Sequence, residues 1–299
     1  MRGGASGART RLRGPKGTKP AWHDGRVMDQ EARYDRIAEG YARWWSPVHR
    51  PGTLGLIEEI EPAVEAGATR ILDVGCGTGA LAAAIVSRWP GVTVTGVDLS
   101  PGMRAVAHRE LGQLPGAARE RVRLAQAAAD RLPFEDGEFD VTVSSFVLQL
   151  VPSRHRALRE ARRVLAPAGT LAFATWLAGG SFPADAVYEE ALLAAGIEPR
   201  DAGADNDPTS PGAAAAVLRR AGFVAVRARA GAVDHRFTPE GYLAFVARFD
   251  DEDLFQTLAV REREALEADL LARLRALPPE DQRMWLPIVY AAGRRSARP

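Results

Sequence analysis

Two short runs hold the residues with the clearest chemical potential. The first is Asp73-Val74-Gly75-Cys76-Gly77-Thr78-Gly79, which follows a short apolar segment and opens an amphipathic one. Glycines at such a junction let the backbone turn sharply and approach a ligand, while the start of the next helix presents unpaired N–H groups. The second run ends at Asp98, nineteen residues after Gly79 and at the close of the next apolar segment. A carboxylate at that point faces the ligand crevice of an open α/β sheet and accepts both hydroxyls of a ribose. Together they imply an adenosine-type cofactor. Glycine spacing alone does not choose it, because Gly75, Gly77 and Ala80 also fit the G-x-G-x-x-[GA] pattern of a nicotinamide-dependent oxidoreductase. Asp73 bears on the choice. It repels a pyrophosphate but pairs with the ammonium of a methionine moiety, and an acidic site suits the sulfonium of S-adenosylmethionine. A purely structural role for Asp73, accepting from the loop amides, fits the sequence as well.

The elements that must position these groups alternate in type. Apolar strands are expected at 70–74, 92–97 (closing on Asp98), 122–125, 139–144 and 170–175. Between them run amphipathic helices: one to Arg88, one at 101–112, and one capped by Ser153 with Ala157, Leu158, Ala161, Val164 and Leu165 on one face. Near-continuous apolar strands separated by such helices mean a parallel sheet covered on both sides. Strands at 223–228 and 284–291 bring the total to seven. The fold class is therefore α/β, a doubly wound, mostly parallel seven-stranded sheet with helical additions.

Four regions follow: a basic tail at 1–28, an aromatic helical segment at 29–60, a cofactor-binding core at 61–178, and the completion of the sheet at 179–299. Within the last, 179–211 and 238–280 stand where insertions cover a substrate side. One holds a helix at 184–195. The other opens with Thr238-Pro239, turns Tyr242, Phe245, Val246 and Phe249 inward, and continues with Leu266, Leu270, Leu274 and Leu277.

Composition bounds the function. Of 299 residues, 46% are hydrophobic and 26% charged, and no apolar run reaches the roughly 18 residues of a membrane span. Cys76 is the single cysteine, which excludes a disulfide framework or a multi-cysteine metal site and suggests a reducing, cytoplasmic setting. Residues 1–26 carry seven basic side chains against Asp24, so at +1 overall the remainder stands at −5. That balance argues against a nucleic-acid face. The tail reads as a basic arm for RNA or an acidic partner, or else as a solvated tail or a misassigned start upstream of Met28. Asp205-Asn206-Asp207, followed by Pro208, reads as a turn and not as a metal site.

The run D-V-G-C-G-T-G at 73–79, with V-D-L-S-P-G-M at 97–103, L-P-F at 132–134 and F-D-V-T-V-S-S at 139–145, resembles class I S-adenosylmethionine-dependent methyltransferases of the ubiquinone/menaquinone-biosynthesis-like, small-molecule type. The stretch R-E-A-R-R-V-L-A-P-A-G-T-L at 159–171 and the aromatic segment from Tyr34 are similar to that group too, and the likeness fades after residue 178. The resemblance implies a Rossmann-like methyltransferase fold and methyl transfer to a small molecule. It places Asp73, Gly75, Gly77, Thr78 and Gly79 at the methionine end of the cofactor. Asp98 would hold the ribose, Leu99 and Met103 the adenine, with Ser145 near the methionine part and Tyr41 closing over it. An Asp often found four residues before the Leu of L-P-F is Ala128 here, so the adenine amino group would fall to backbone near Ala129, at a loss of about 1 kcal/mol. A non-catalytic module that keeps the cofactor fold is the third alternative.

Tyr41, Trp44, Trp45 and Trp176 are candidates to line a flat apolar substrate pocket, or else to pack a small helical core. The histidines, His23, His49, His108, His155 and His235, include no residue marked by sequence as a catalytic base, and no metal-ligand spacing is visible.

Overall fold

The computed structural model describes residues 30–199 and 207–297. The tail at 1–28, His23, and Asp205-Asn206 lie outside the described residues. The aromatic segment begins with helix α1 (Gln30–Gly40), passes through a π-helical turn (Tyr41–Trp45), and continues as α2 (Ser46–Leu54) and α3 (Leu56–Glu65). The alternating core follows as β1 (Arg70–Val74), α4 (Ala80–Arg88), β2 (Thr93–Asp98), α5 (Pro101–Leu111), the short α6 (Gly116–Arg119), β3 (Val122–Gln126), β4 (Phe139–Ser145), α7 (Arg154–Val164) and β5 (Leu165–Trp176). The remainder is α8 (Pro183–Ala194), α9 (Pro211–Arg220), β6 (Phe223–Arg236), α10 (Pro239–Phe245), a second π-helical turn (Val246–Asp250), α11 (Glu252–Thr257), α12 (Val260–Ala276) and β7 (Arg283–Arg295).

The seven strands form one sheet in the order β3-β2-β1-β4-β5-β7-β6, with β7 antiparallel to both neighbours. The chain winds outward from β1 to β3, then resumes on the other side of β1 with β4. The switch point therefore lies between β1 and β4, where open sheets of this kind bind ligands. Strands in the middle of the sheet are apolar because both faces are covered: Ile71, Leu72, Val141, Val143 and Leu171 are fully buried. Local signals set the helix starts. Ser100, Ser153, Ser210 and Thr238 each accept from the backbone N–H three residues on.

Several expected boundaries shift. β5 starts at Leu165 because Leu165 pairs with Phe139 before a bulge that carries Ala168 at φ 64°. β6 and β7 each run beyond their expected ends, since they pair with each other from Phe223↔Arg295 to Arg236↔Arg283, past the end of β5. Leu277 stands at the C-cap of α12, partly buried against the same core as Leu266, Leu270 and Leu274. Among the described residues, α8, α10 and α12 pack on one another, and the second π turn packs on α1. This layer meets the aromatic segment through Phe245 on Trp45 and Phe249 on Tyr41.

Glu59 ties α3 to the edge strand β6. Its side chain is only 6% exposed and accepts from Arg227 Nε at 3.2 Å and Arg229 Nε at 2.7 Å. Glu59→Ala leaves two half-exposed guanidinium groups without their shared partner, and should destabilise the protein by about 2 kcal/mol. Urea denaturation at neutral pH reads this directly; a change below about 0.5 kcal/mol would show that water replaces the carboxylate without cost.

Candidate cofactor and substrate site

After β1 the chain turns through Gly75, Gly77 and Gly79, whose φ angles of 72°, 53° and 79° lie in the left-handed region. Gly75 N and Cys76 N donate to the Val97 carbonyl at 2.7 and 2.9 Å, which fixes the loop to the end of β2. Asp98 completes the turn. Its Oδ2 accepts from Gly77 N at 2.9 Å and its Oδ1 from Ser100 N at 3.0 Å. Burial raises the Asp98 carboxyl pKa, and the Ser100 and Gly77 amides with the Arg104 cation oppose that rise.

Two adjoining cavities open on this loop. The outer one runs from Tyr34 past Asp98, Leu99 and Met103 to Ala128, Ala129 and Asp130, and back along Phe146 and Val147. The inner one is lined by His49, Arg50, Thr53, Asp73, Cys76 and Thr78, among others. Tyr41, Gly75, Gly77 and Ser145 line both.

Asp73 is 1% exposed, and its Oδ2 has no hydrogen-bond partner. The amides of Gly75, Cys76, Gly77 and Gly79 are all engaged elsewhere, which leaves the loop-acceptor reading of Asp73 without those donors. Burial, and then the charge of Asp98, push its pKa up to about 7. A buried carboxylate with an unpartnered oxygen, on a residue that lines a cavity, is chemically fitted to a cationic ligand group.

The expected site residues divide. Asp73, Gly75, Gly77, Thr78, Asp98, Leu99, Met103, Ala129, Ser145 and Tyr41 all line one cavity or both. Ala128 lines the outer cavity as well, and two residues on Asp130 reaches the same wall with its carboxylate 3.9 Å from Arg156 Nε. Gly79 is a correction: it lines neither cavity, and a Cβ there would meet Ala107 and Leu111 at 3.3 Å, so its small size serves packing against α5. Trp45 and Trp176 are a second correction. They are 3% and 4% exposed and lie 6.1 Å apart in the core, off both cavity walls. Phe146 reaches the outer cavity in front of them, as Tyr34 and Tyr41 do elsewhere on its wall; it is held at φ 56° just past β4 and packs 4.3 Å from Trp176.

Sequence reasoning missed His49, Thr53 and Arg50, which line the inner cavity from α2. His49 is one histidine among five; the available signal is its spacing of four from Thr53, which places those two on one helical face. His108 and His155 are exposed.

Residues 72–173, from β1 through most of β5, match the family model described as a methyltransferase domain. The likeness to a methyltransferase domain thus rests on about a third of the chain. A malonyl-[acyl-carrier protein] O-methyltransferase of Geobacter sulfurreducens is 44% identical over 135 residues, 45% of this chain and 46% of that protein. A demethylmenaquinone methyltransferase of Thermus thermophilus is 40% identical over 112 residues, 38% of this chain and 49% of that one. The chain thus spans about half the length of these curated relatives. Among solved structures, a candidate sarcosine dimethylglycine methyltransferase from Galdieria sulphuraria aligns over 83% of this chain and 86% of its own, at 17% identity and TM-score 0.50. That likeness shows the fold, and extends it beyond the matched methyltransferase domain. No helix among the described residues is long and apolar enough to cross a membrane.

Proposed function

We propose that the protein transfers the methyl group of S-adenosylmethionine to a small-molecule acceptor. The observation that carries this reading is the placement of two carboxylates on a continuous pair of cavities. Asp98 stands at the end of β2 in the outer one, and Asp73, with its unused oxygen, stands in the inner one. An adenosine in the outer cavity would meet Asp98 with its ribose hydroxyls and Leu99 and Met103 with its base. An amino-acid tail in the inner cavity would meet Asp73 with its ammonium and Arg50 with its carboxylate. The pyrophosphate of a dinucleotide, crossing the same glycine loop, would meet the Asp73 carboxylate instead, which counts against a nicotinamide cofactor.

The bound cofactor supplies an activated methyl on a positively charged sulfur. The chain's contribution is then alignment, which accounts for up to roughly 7–11 kcal/mol of a barrier when the reacting atoms are held in line. Relatives named for malonyl-[acyl-carrier protein] and demethylmenaquinone support a biosynthetic small-molecule acceptor. The layer of α8 and α10–α12 is proposed as the cover that selects it, and Trp45 and Trp176 as its backing behind Phe146.

Calorimetric titration with S-adenosylmethionine, S-adenosylhomocysteine and NAD(H) tests the reading. Both S-adenosyl ligands should bind. Asp98→Ala, which removes two charge-assisted hydrogen bonds to ribose and frees the Gly77 amide, should weaken them by about 100-fold. Binding of NAD(H) alone, or of none of the three by folded protein, would sink it.

A further inference from the structure

Tyr41 and Ser145 line both cavities, so they face the middle of any ligand that spans the two. One hydrogen-bonded chain joins them. Tyr41 Oη lies 2.6 Å from His49 Nε2, and His49 Nδ1 lies 3.2 Å from Thr53 Oγ1. Ser145 Oγ donates to Thr53 Oγ1 at 2.9 Å. The arrangement follows from the helix: His49 and Thr53 are one turn apart in α2, and the π turn before it carries Tyr41 onto the same face.

The imidazole packs between the Trp45 and Phe146 rings, at 5.8 and 5.6 Å. Burial lowers the His49 pKa to about 4 and raises the Tyr41 hydroxyl well above its ordinary range, with Tyr34 and Asp98 adding to the latter. Both groups are therefore uncharged at neutral pH. A neutral imidazole has one N–H and one lone pair, and each His49 ring nitrogen faces a hydroxyl, so a proton reaches the lone pair only through a hydroxyl. Arg50 and Asp73 are the charged groups that share its cavity.

We propose that Tyr41 and His49 form the proton-accepting pair of the transfer step, with Tyr41 touching the acceptor's O–H or acidic C–H and His49 taking the proton through it. The proposal rests on the methyl-transfer reading above. In the balanced step the acceptor–CH3 bond forms as the S–CH3 bond breaks. The acceptor's proton passes to the Tyr41 oxygen while the Tyr41 proton passes to His49 Nε2. One positive charge leaves sulfur and one arrives on imidazole, so the net charge of the acidic site is unchanged throughout. Tyr41 is the catalytic residue; His49 acts through it, and Thr53 with Ser145 holds the ring in place.

The probe is 4-nitrocatechol, a phenol whose ionisation is visible by absorbance, titrated into protein saturated with S-adenosylhomocysteine. The bound probe should ionise at lower pH than the free one. His49→Gln should abolish that shift, because glutamine keeps a bond to Tyr41 but takes no proton. With S-adenosylmethionine in mildly acidic buffer, Tyr41→Phe and His49→Gln should each lower kcat for the probe by about 100-fold. His49→Gln should recover as rising pH ionises the probe, while its affinity for S-adenosylhomocysteine changes less than about fivefold. A probe that does not bind the complex, ionises as it does in free solution, or shifts equally in His49→Gln overturns the pair. Failure of S-adenosylhomocysteine itself to bind overturns the methyl-transfer reading instead.

Discussion

Asp73→Asn should be more stable than the native protein at pH 8, by roughly 5 °C in melting temperature, and indistinguishable from it near pH 4. The carboxyl has an ordinary value of 3.8 and is raised to about 7 in the folded chain, first by burial and then by Asp98. Between those values the folded state binds the proton more tightly than the unfolded chain does. Stability contributed by the protonated group is thus fully present below pH 3.8 and lost as pH rises through about 7. Three pH units at about 1.4 kcal/mol each set an upper bound of about 4 kcal/mol, reduced by whatever water enters the inner cavity. His49 titrates in the opposite sense: lowered from 6.5 to about 4, it contributes stability above pH 6.5 that is lost as pH falls. The difference between native and Asp73→Asn melting curves isolates Asp73, since His49 is common to both. Parallel curves from pH 4 to 8 would show that Asp73 is solvated or paired. On the methyl-donor reading, the same substitution removes the group that meets the ammonium. Native protein should then release a proton on binding S-adenosylmethionine near pH 6.5, measured in buffers of different ionisation heat, and Asp73→Asn should release none.

This dependence of ligand on burial explains what the sequence could and could not reveal. Asp73, Gly75, Gly77 and Asp98 were legible because their roles are local: a strand end, a left-handed turn, the next strand end. The sheet was legible for the same reason, since runs such as Ile71–Leu72 and Leu171–Phe173 are apolar only where both faces are covered. Trp45 and Trp176 failed because a large aromatic ring has the same sequence signature on a pocket wall and behind it. Phe146 decides between the two by taking a positive φ and standing in front. His49 failed because its partners come from three elements: the π turn, its own helix, and β4 through Ser145. A π turn inserts one residue into the helical count, and no periodicity in the sequence announces it.

Gly75→Ala and Gly77→Ala should separate two reasons for glycine within one loop. Both positions have positive φ, at 72° and 53°, so each alanine carries a backbone strain of about 1 kcal/mol. At Gly75 a Cβ would stand 2.2 Å from Val147 Cγ2 and 2.9 Å from Cγ1, so either the loop or Val147 must move. Val147 lines the outer cavity, and its shift closes space there. Gly75→Ala should therefore lose about 3 kcal/mol of stability as well as cofactor affinity. Val147→Ala in the same chain should return about half of the loss, by removing the clash and leaving the strain. At Gly77 a Cβ meets nothing within 4 Å, and Gly77 lines both cavities. Gly77→Ala should cost only about 1 kcal/mol in urea denaturation, yet weaken S-adenosylhomocysteine binding by about 100-fold, because the methyl group occupies the path of the ligand. A stability loss at Gly77 equal to that at Gly75 would mean the loop is held by its own packing. Unchanged affinity at Gly77 would mean that the ligand does not cross the loop where the two cavities join.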